Sequence, residues 1–461
     1  MRREAPSQWG ATDVPRPEVA RPGPYEFPAA QRATLASGLE VVAYDVPGQY
    51  VHSVRLAVPL PLSREPRDKE GVAALMARLL DEGTLRHSPS ELARLLERKG
   101  VALGAGMSEA GLSVDVDVAK GNLTYALDLL RQCLTEPAFP QSEVERAVKQ
   151  RLAEIAQERS IAGHRAAIEF VGTYFDADDR ASRPTSGRTE TVREVTREDV
   201  ARFHSTQVAP AGSTLVIAGD LGGVDALAEI EQALGGWSAP DGFEPLGPPS
   251  EPAVSASRSR IVFVDRPGSV QTEFAIGCPG PDRCVDGGWG PYPVLGFVVG
   301  GSPNARIDAV LREEKGFTYG IRSVFRPRRR GGVFLTGGSV RADSTVESLG
   351  LLLDLLDSGR EGFTDAEVRQ GVDYISMTAP ARFATADAIA DEAAGLALAG
   401  LTTEFTTANL RDIATVDGQR MHTAYRRFVD GRWTVVVVGD AQEYAGKVRS
   451  LGRGDVSVVP A

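Results

Sequence analysis

The 461-residue chain contains only three cysteines, Cys133, Cys278 and Cys284, and no two of them have the CxxC spacing. This argues against a disulfide framework and against a thiolate zinc site, so we expect three ordinary thiols. Long apolar runs are also missing: no stretch approaches the roughly 20 residues that span a bilayer, and the N-terminus lacks the apolar segment of a signal peptide. We therefore expect a cytoplasmic protein that does not enter a membrane.

Positive charge is in deficit, with 51 basic against 62 acidic residues and a net charge of −11. Nucleic acid and anionic lipid do not attract an acidic protein electrostatically, so we expect neither as a partner. The hydrophobic fraction of 42% over 461 residues is enough to fill more than one core. Length and composition together predict two domains of roughly 200 residues each.

The chain contains an internal repeat whose two copies keep one spacing. Residues 41–48 (VVAYDVPG) resemble residues 261–268 (IVFVDRPG), an offset of 220 residues. Residues 214–220 (TLVIAGD) resemble residues 434–440 (TVVVVGD), again at an offset of 220. All four segments are β-branched runs that end in turn residues, so we predict that each copy has a strand near its start and another near its end.

Amphipathic segments of helical period lie between these strands. Residues 142–159 illustrate them, because Val144, Val148, Leu152 and Ile155 form one apolar stripe among charged residues. Strands and helices within each copy predict an α+β fold that is present twice.

The repeat also predicts the domain organisation. We place a first α+β domain at 31–235 and a second at 258–461. The segment between them, 236–257, is rich in Pro, Gly and Ser, which is typical of a linker. Residues 1–30 are Pro-rich and polar, and we predict an extended arm there.

The segment at 71–84, GVAALMARLLDEGT, matches a known metal motif in outline but not in its ligands. Together with the duplicated α+β unit it resembles the pitrilysin/insulinase-like metallopeptidases, and the resemblance covers roughly residues 32–459. It implies two homologous domains, each a mostly antiparallel sheet packed with helices, that form one half of a clamshell. In catalytic members a helix carries the zinc motif HxxEH, which a Gly-Thr step follows.

The side chains that bind zinc in that motif are absent from this chain. Counting back from the Gly-Thr step, Ala74 and Arg78 stand at the two histidine positions and Ala77 at the glutamate base. Alanine has no donor atom, and the protonated guanidinium of Arg78 repels a cation. The resemblance places a third ligand about 76 residues on, at Glu154, which we interpret as a solvated helix carboxylate. We therefore expect no metal and no cofactor in this chain, and zinc in a partner subunit.

The second copy keeps a motif that the first copy lacks. Residues 300–320, GGSPNARIDAVLREEKGFTYG, resemble the family's small-residue loop, helix and LREEKGxxYG element. In the family an arginine and a tyrosine, seven residues apart, face the chamber between the clamshell halves and hold the substrate carbonyl. The matching residues here are Arg312 and Tyr319. A guanidinium and a phenol can stabilise an oxyanion without exchanging protons at neutral pH.

The alternative is that Arg312 caps a helix and Tyr319 is an ordinary strand aromatic. The repeat argues against it, because Leu96 and Leu103 stand at the corresponding positions of the first copy. Since the scaffold does not need the pair, we predict that Arg312 and Tyr319 are catalytic residues. We expect Arg312 to end a helix, Gly316 to turn the chain, and Tyr319 to begin the next strand.

Two further features of the second copy have more than one interpretation. Gly300, Gly301 and Ser302 are candidate substrate-binding residues in a mobile loop, as in the family's non-catalytic processing-peptidase subunit, or form a strand-to-helix turn. The basic run RPRRR at 326–330 is interpreted as a hairpin tip in solvent, with contact to an acidic peptide or to the partner as the alternative.

These features favour a non-catalytic subunit of a heterodimeric zinc endopeptidase that processes peptides or leader peptides. A homologous partner with an HxxEH motif would carry the zinc, and this chain, inactive alone, would supply Arg312 and Tyr319. Two alternatives stay open. One is a catalytically inert structural or assembly subunit of the same fold, which needs no oxyanion donors. The other is a self-sufficient peptidase with an unrecognised metal site.

Overall fold

The computed structural model describes residues 23, 25–240, 243–244, 246–255 and 258–460. Residues 1–22 of the predicted arm, and part of the predicted linker, lie outside the described residues. Two six-stranded sheets organise the rest. The first sheet contains β1 Gln31–Thr34, β2 Glu40–Asp45, β3 Val51–Pro59, β4 Ala102–Met107, β5 Gly111–Ala119 and β6 Thr214–Gly219. The second contains β7 Arg260–Asp265, β8 Gln271–Gly280, β9 Arg322–Pro327, β10 Gly332–Arg341, β11 Thr434–Gly439 and β12 Asp455–Pro460.

The two sheets have one topology apart from an edge strand. Their strand orders are β1-β2-β6-β3-β5-β4 and β12-β7-β11-β8-β10-β9. The central strands β2 and β6 pair in parallel, as β7 and β11 do, whereas the remaining pairs of the first sheet are antiparallel. At the differing edge, β1 runs antiparallel to β2 but β12 runs parallel to β7. The prediction of an α+β fold with mostly antiparallel sheets is confirmed.

The two copies also share an equivalent hydrogen bond beside the sheet. The Asp220 carboxylate accepts a hydrogen bond from the Gly48 amide at 2.9 Å, and the Asp440 carboxylate accepts one from the Gly268 amide at 2.9 Å. In both copies the aspartate follows a central strand and holds the turn after its parallel neighbour. The aspartate at the end of each repeat motif therefore has a structural role.

Sixteen α-helices are found in the described part of the chain. Those before the second sheet are α1 Val72–Arg78, α2 Pro89–Lys99, α3 Leu123–Thr135, α4 Gln141–Ser160, α5 Ala162–Tyr174, α6 Thr189–Val192, α7 Arg197–Gln207 and α8 Ala226–Leu234. The later ones are α9 Pro291–Gly296, α10 Arg306–Asp308, α11 Thr345–Ser358, α12 Asp365–Arg382, α13 Ala386–Leu398, α14 Glu404–Ile413, α15 Gly418–Phe428 and α16 Ala441–Arg449. Two π-helices extend α9 and α10, at Phe297–Gly301 and Ala309–Glu314. Within the described ranges, none of these helices has the length and apolarity needed to cross a bilayer.

The two copies exchange one helix each. On α5, Phe170 and Tyr174 pack against Val436 and Val438 of the second sheet. On α13, Ile389 and its neighbours pack against the first sheet. Each sheet thus carries its own helices on one face and a helix of the other copy on the opposite face. Because both exchanged helices bury apolar side chains, the interface between the copies is part of the core.

The last residues of the predicted arm pack against the second copy. Phe27 is buried with its ring centroid 5.6 Å from that of Tyr44 and 5.1 Å from that of Phe383. Its amide donates a hydrogen bond to Thr407 Oγ1 at 3.1 Å. The chain around Phe27 therefore joins the first sheet to the helices that follow α12.

The basic run at 326–330 forms the predicted hairpin tip between β9 and β10. The prediction that the tip stands in solvent is wrong for Arg328, whose side chain is 19% exposed. Its guanidinium lies 4.3 Å from the ring centroid of Phe175, and Nη2 is 2.7 Å from Glu109 Oε1. Both contacts belong to the first copy, so the hairpin tip closes the gap between the two copies.

Candidate functional site

The helix that matches the zinc motif, α1, begins on a buried carboxylate. Glu65 Oε1 accepts hydrogen bonds from the amides of Gly71 at 2.9 Å and Ala73 at 3.1 Å, which satisfies two free amides at the helix N-terminus. The other oxygen of Glu65 lies 2.8 Å from Arg180. Burial raises the pKa of Glu65, although Arg180 and the two amides oppose that shift. The start of α1 is therefore fixed by a buried ionic contact.

A second buried pair lies beside the first. Arg183 Nε is 2.8 Å from the Glu70 carboxylate, and both side chains are buried. Arg183 Nη1 also donates to the carbonyl oxygens of Ala177 and Asp179, at 2.8 and 2.9 Å. Breaking such a pair on one side leaves an uncompensated buried charge, which typically costs about 3–5 kcal/mol. The two pairs anchor α1 to the segment around residues 177–183.

Two of the three zinc-motif positions on α1 hold alanines, and the third, Arg78, forms an ion pair. Ala77 is buried, and Ala74 is partly exposed one turn before Arg78. Arg78, the last residue of α1, places Nη2 2.9 Å from Oε1 of Glu154 on α4. A guanidinium and the third-ligand carboxylate of the motif therefore bind each other.

The interpretation of Glu154 as a solvated carboxylate is wrong. Its side chain is 30% exposed and binds both Arg78 and Arg151, the latter at 3.3 Å. Burial alone would raise the pKa of Glu154, but the hydrogen bonds and charges of Arg78 and Arg151 lower it below its ordinary value. An arginine and a glutamate at two ligand positions of one motif could have indicated this ion pair from the sequence. It was missed because 76 residues separate them.

The residues present at these positions do not fit zinc. Two are alanines without donor atoms, and the third is a cation already bound to the carboxylate that would remain. Among the described residues, no group of three or more His, Cys, Asp or Glu side chains is arranged to hold a metal ion.

The structure places Arg312 and Tyr319 at the surface of the second copy. Arg312 lies in the π-helix at Ala309–Glu314, its side chain is 40% exposed, and its ion pair is with the adjacent Glu313 at 3.4 Å. Tyr319 is 94% exposed. In the part of the chain that the structure describes, no hydrogen bond joins the two side chains and the Tyr319 hydroxyl has no partner. Both groups are therefore accessible to a ligand.

One detail of this element differs from the prediction, namely that Tyr319 does not begin the next strand. Gly316 has φ +64°, as the expected turn requires, but the turn continues past Tyr319, and β9 begins only at Arg322. The reason is that Thr318 Oγ1 donates a hydrogen bond to the Ser339 carbonyl oxygen at 2.6 Å and accepts one from the Gly320 amide at 3.0 Å. Tyr319 is thus at the tip of a hydrogen-bonded turn.

Asp308 is a positioning residue that sequence reasoning missed. It is fully buried, and its carboxylate accepts a hydrogen bond from the Ile321 amide at 3.0 Å and an ion pair from Arg322 at 2.7 Å. It lies just before the π-helix of Arg312, while its partners follow Tyr319. A buried aspartate therefore fixes the helix and the turn relative to each other. The available signal was a charged residue on the apolar face of RIDAVL.

Gly300 and Gly301 lie at the end of the π-helix Phe297–Gly301. Both interpretations of their backbone, a mobile loop and a strand-to-helix turn, are therefore wrong. Position 300 has too little space for a side chain, because a Cβ there would lie 2.6 Å from Ser323 Oγ. Gly301 is exposed and Ser302 is buried. π-Helices occur frequently at functional sites, and the contact of these three residues with substrate stays a prediction.

The fold and the altered motif define a class of protein, and comparisons with known families agree. Residues 41–173 match the sequence model "Insulinase (Peptidase family M16)", and residues 194–374 match "Peptidase M16 inactive domain". The chain belongs to the M16 family, the insulinase-like metallopeptidases.

Particular relatives include proteins with and without a peptidase name. An uncharacterized zinc protease of Streptomyces coelicolor is 23% identical over 365 residues, which are 78% of this chain and 79% of the relative. The non-peptidase homolog YmxG of Helicobacter pylori is 24% identical over 260 residues, or 56% of this chain and 58% of the relative.

Solved structures share the fold. A peptidase M16 inactive domain from Pseudomonas fluorescens has a TM-score of 0.80 at 20% identity and covers 89% of this chain and 98% of its own. A protease from Helicobacter pylori has a TM-score of 0.78 at 16% identity and covers 89% and 99%.

Proposed function

We propose that this chain is the non-catalytic subunit of a heterodimeric, cytoplasmic zinc endopeptidase that processes peptides or leader-bearing precursors. The observation that carries the proposal is a contrast between two sites. The zinc-motif positions hold an Arg78–Glu154 ion pair, whereas Arg312 is exposed with an ion pair only to the adjacent Glu313 and Tyr319 is exposed without a hydrogen-bond partner among the described residues. The homologous partner would hold the zinc in an HxxEH motif, and this chain would complete the substrate site.

In this arrangement Arg312 and Tyr319 act on the carbonyl oxygen of the substrate. The guanidinium and the phenol hydroxyl each donate a hydrogen bond, and both bonds strengthen as negative charge develops on that oxygen. A guanidinium group stabilises the oxyanion through its fixed charge, so neither donor needs to transfer a proton. Asp308 contributes by holding the helix of Arg312 against the turn of Tyr319.

The proposal is tested by mixing this chain with its HxxEH partner and measuring the cleavage of a peptide substrate. We expect the pair to cleave and each chain alone to be inactive. Removing one oxyanion donor typically lowers kcat by about 10²–10³-fold, so Arg312→Ala and Tyr319→Phe should each lower kcat of the pair by that order.

The matched control is Arg369→Ala, because Arg369 is exposed on α12 and its only hydrogen bond among the described residues is to the Asp365 carbonyl oxygen of its own helix. This variant should leave kcat unchanged. Full activity of the partner alone would refute the proposal. An Arg312→Ala/Tyr319→Phe pair that assembles and cleaves normally would instead assign this chain an inert assembly role.

A further inference from the structure

A cavity of about 560 Å³ lies between the two copies, and its lining includes Arg180 and Arg183, which anchor α1, but neither Arg312 nor Tyr319. Its walls come from residues 61–64 and 179–183 of the first copy, from residues 246–250 between the copies, and from the hairpin tip at 327–330. This volume is typical of sites that bind small molecules.

Arginine dominates the charge of this cavity. Three of its arginines are compensated: Arg180 by Glu65, Arg183 by Glu70, and Arg328 by Glu109 at 2.7 Å. Asp179, the other acidic lining residue, uses both carboxylate oxygens to accept backbone amides, those of Ala181 and Ala253 at 2.9 Å. These groups form the frame of the cavity.

Four further arginines line the cavity without an ion pair in the part of the chain that the structure describes, and one of them, Arg64, donates from Nη2 to the Glu244 carbonyl oxygen at 3.2 Å. The other three, Arg283, Arg329 and Arg330, form neither an ion pair nor a hydrogen bond among the described residues; Arg329 and Arg330 are exposed at the hairpin tip. Arg283 is half-buried, and burial lowers the pKa of its guanidinium, against a weaker opposing influence of Glu392. Glu392 is itself 3.2 Å from Arg382. A desolvated, unpaired cation is costly in a folded protein, and here it lies in a chain of net charge −11.

Much of the remaining lining is apolar. Leu62 and several prolines, among them Pro248, Pro249 and Pro327, cover the walls between the arginines. Guanidinium groups bind phosphate oxygens through two parallel hydrogen bonds, and arginine is preferred wherever phosphate is recognised. A ligand that combines charged phosphates with an apolar portion would match both kinds of lining.

We infer that the cavity between the two copies is a binding site for a phosphorylated small molecule of about nucleotide size, held by Arg283, Arg329 and Arg330. The site uses groups from both copies and from the segment that joins them. A bound ligand would stabilise the relation between the copies, since it binds only the assembled chain. This inference is independent of the role proposed for Arg312 and Tyr319.

The test is isothermal titration calorimetry of the full chain with inorganic pyrophosphate and with ADP. Both should bind, ADP more tightly because of its apolar portion, and both should raise the melting temperature. Because each arginine contributes charge-assisted hydrogen bonds, Arg283→Gln, Arg329→Ala and Arg330→Ala should each weaken binding at least about tenfold. The matched control is Arg326→Ala, which removes the same charge from the same hairpin but does not line the cavity.

Three results would overturn the inference. One is the absence of heat with pyrophosphate and ADP at millimolar concentration. Another is an equal loss of affinity in the Arg326→Ala control, which would show unspecific attraction to the hairpin. The third is tighter binding of a glutamate-rich peptide than of ADP, which would make the cavity a peptide site. Circular dichroism of each variant verifies that the fold is retained.

Discussion

The ion pair at the former zinc positions should be measurable as a coupling energy between Arg78 and Glu154. The perturbation is a double-mutant cycle of Arg78→Met, Glu154→Gln and the double variant. Arg78 Nη2 lies 2.9 Å from Glu154 Oε1 and 3.2 Å from Oε2, so the pair is well aligned. The side chains are 38% and 30% exposed, which places the pair between the surface and the interior.

The expected magnitude follows from that position. Exposed pairs contribute about 0.2–1 kcal/mol, and hydrogen bonds to charged groups contribute about 1.5–3 kcal/mol. Solvent screening of the arginine reduces the higher figure. Nη1 of Arg78 is buried without a hydrogen-bond partner among the described residues, which adds a cost. We expect a coupling free energy of about 1 kcal/mol.

Urea denaturation at pH 7 gives the four unfolding free energies of the cycle. Arg151 also contacts Glu154, but it keeps Glu158 at 2.6 Å, and the cycle removes its contribution from the coupling. The control is Glu145→Gln on the exposed face of α4, whose Oε1 accepts a hydrogen bond from Gln141 and from no other described residue. This control should change stability by less than about 0.5 kcal/mol.

The coupling should also depend on pH with a defined sign. The pKa of Glu154 is lowered in the folded protein, so the stabilisation is present above the unfolded-state pKa of about 4.3. It is lost as the pH falls through the folded-state pKa. A coupling below about 0.3 kcal/mol at pH 7, within the usual error of additivity, would refute the claim that the guanidinium replaces a metal as the partner of Glu154.

Two further predictions concern metal binding and pH. The triple variant Ala74→His, Ala77→Glu and Arg78→His should hold about one zinc ion per chain in metal analysis after dialysis, because it restores the motif and frees Glu154. Adding Glu154→Gln should abolish the zinc, and a metal-free triple variant would show that α1 does not keep the motif geometry. Burial lowers the pKa of His204 to about 4, which an NMR titration should show directly. Because the pKa of His204 is lowered in the folded protein, the free energy of unfolding should fall as the pH drops from 6.5 to about 4. The loss should be at most about 3 kcal/mol because the ring keeps some exposure, and His204→Gln should flatten this pH dependence.

Much of the architecture follows from local patterns. The offset of 220 residues predicted two similar sheets, and β2 with β7 and β6 with β11 keep that offset. The stripe of α4 predicted which face of the helix packs against the core, since Val144 and Ile155 are buried there and Val148 and Leu152 are partly buried. Such features depend on residues that are close together in the sequence, so the sequence pattern is enough to predict them.

The candidate site was predictable in part. The exposure of Arg312 and Tyr319 agrees with the role predicted for them, although that role stays a proposal. The backbone of Gly300 and Gly301 was not predictable, because a π-helix differs from an α-helix only by one residue in its hydrogen-bond register. Asp308 was missed because its partners lie beyond the turn.

By itself the sequence determined that this protein is a duplicated α+β chain and that the zinc motif on its α1 segment has lost its ligands, since both facts reside in residue identity and spacing. Only the tertiary structure decided what replaced the metal, namely the contact of Arg78 with Glu154 across 76 residues. It also decided that α5 and α13 are exchanged between the copies. The physical reason is that an apolar stripe or a charge in the sequence indicates that a side chain must be buried or paired. It does not indicate which of two similar surfaces supplies the partner.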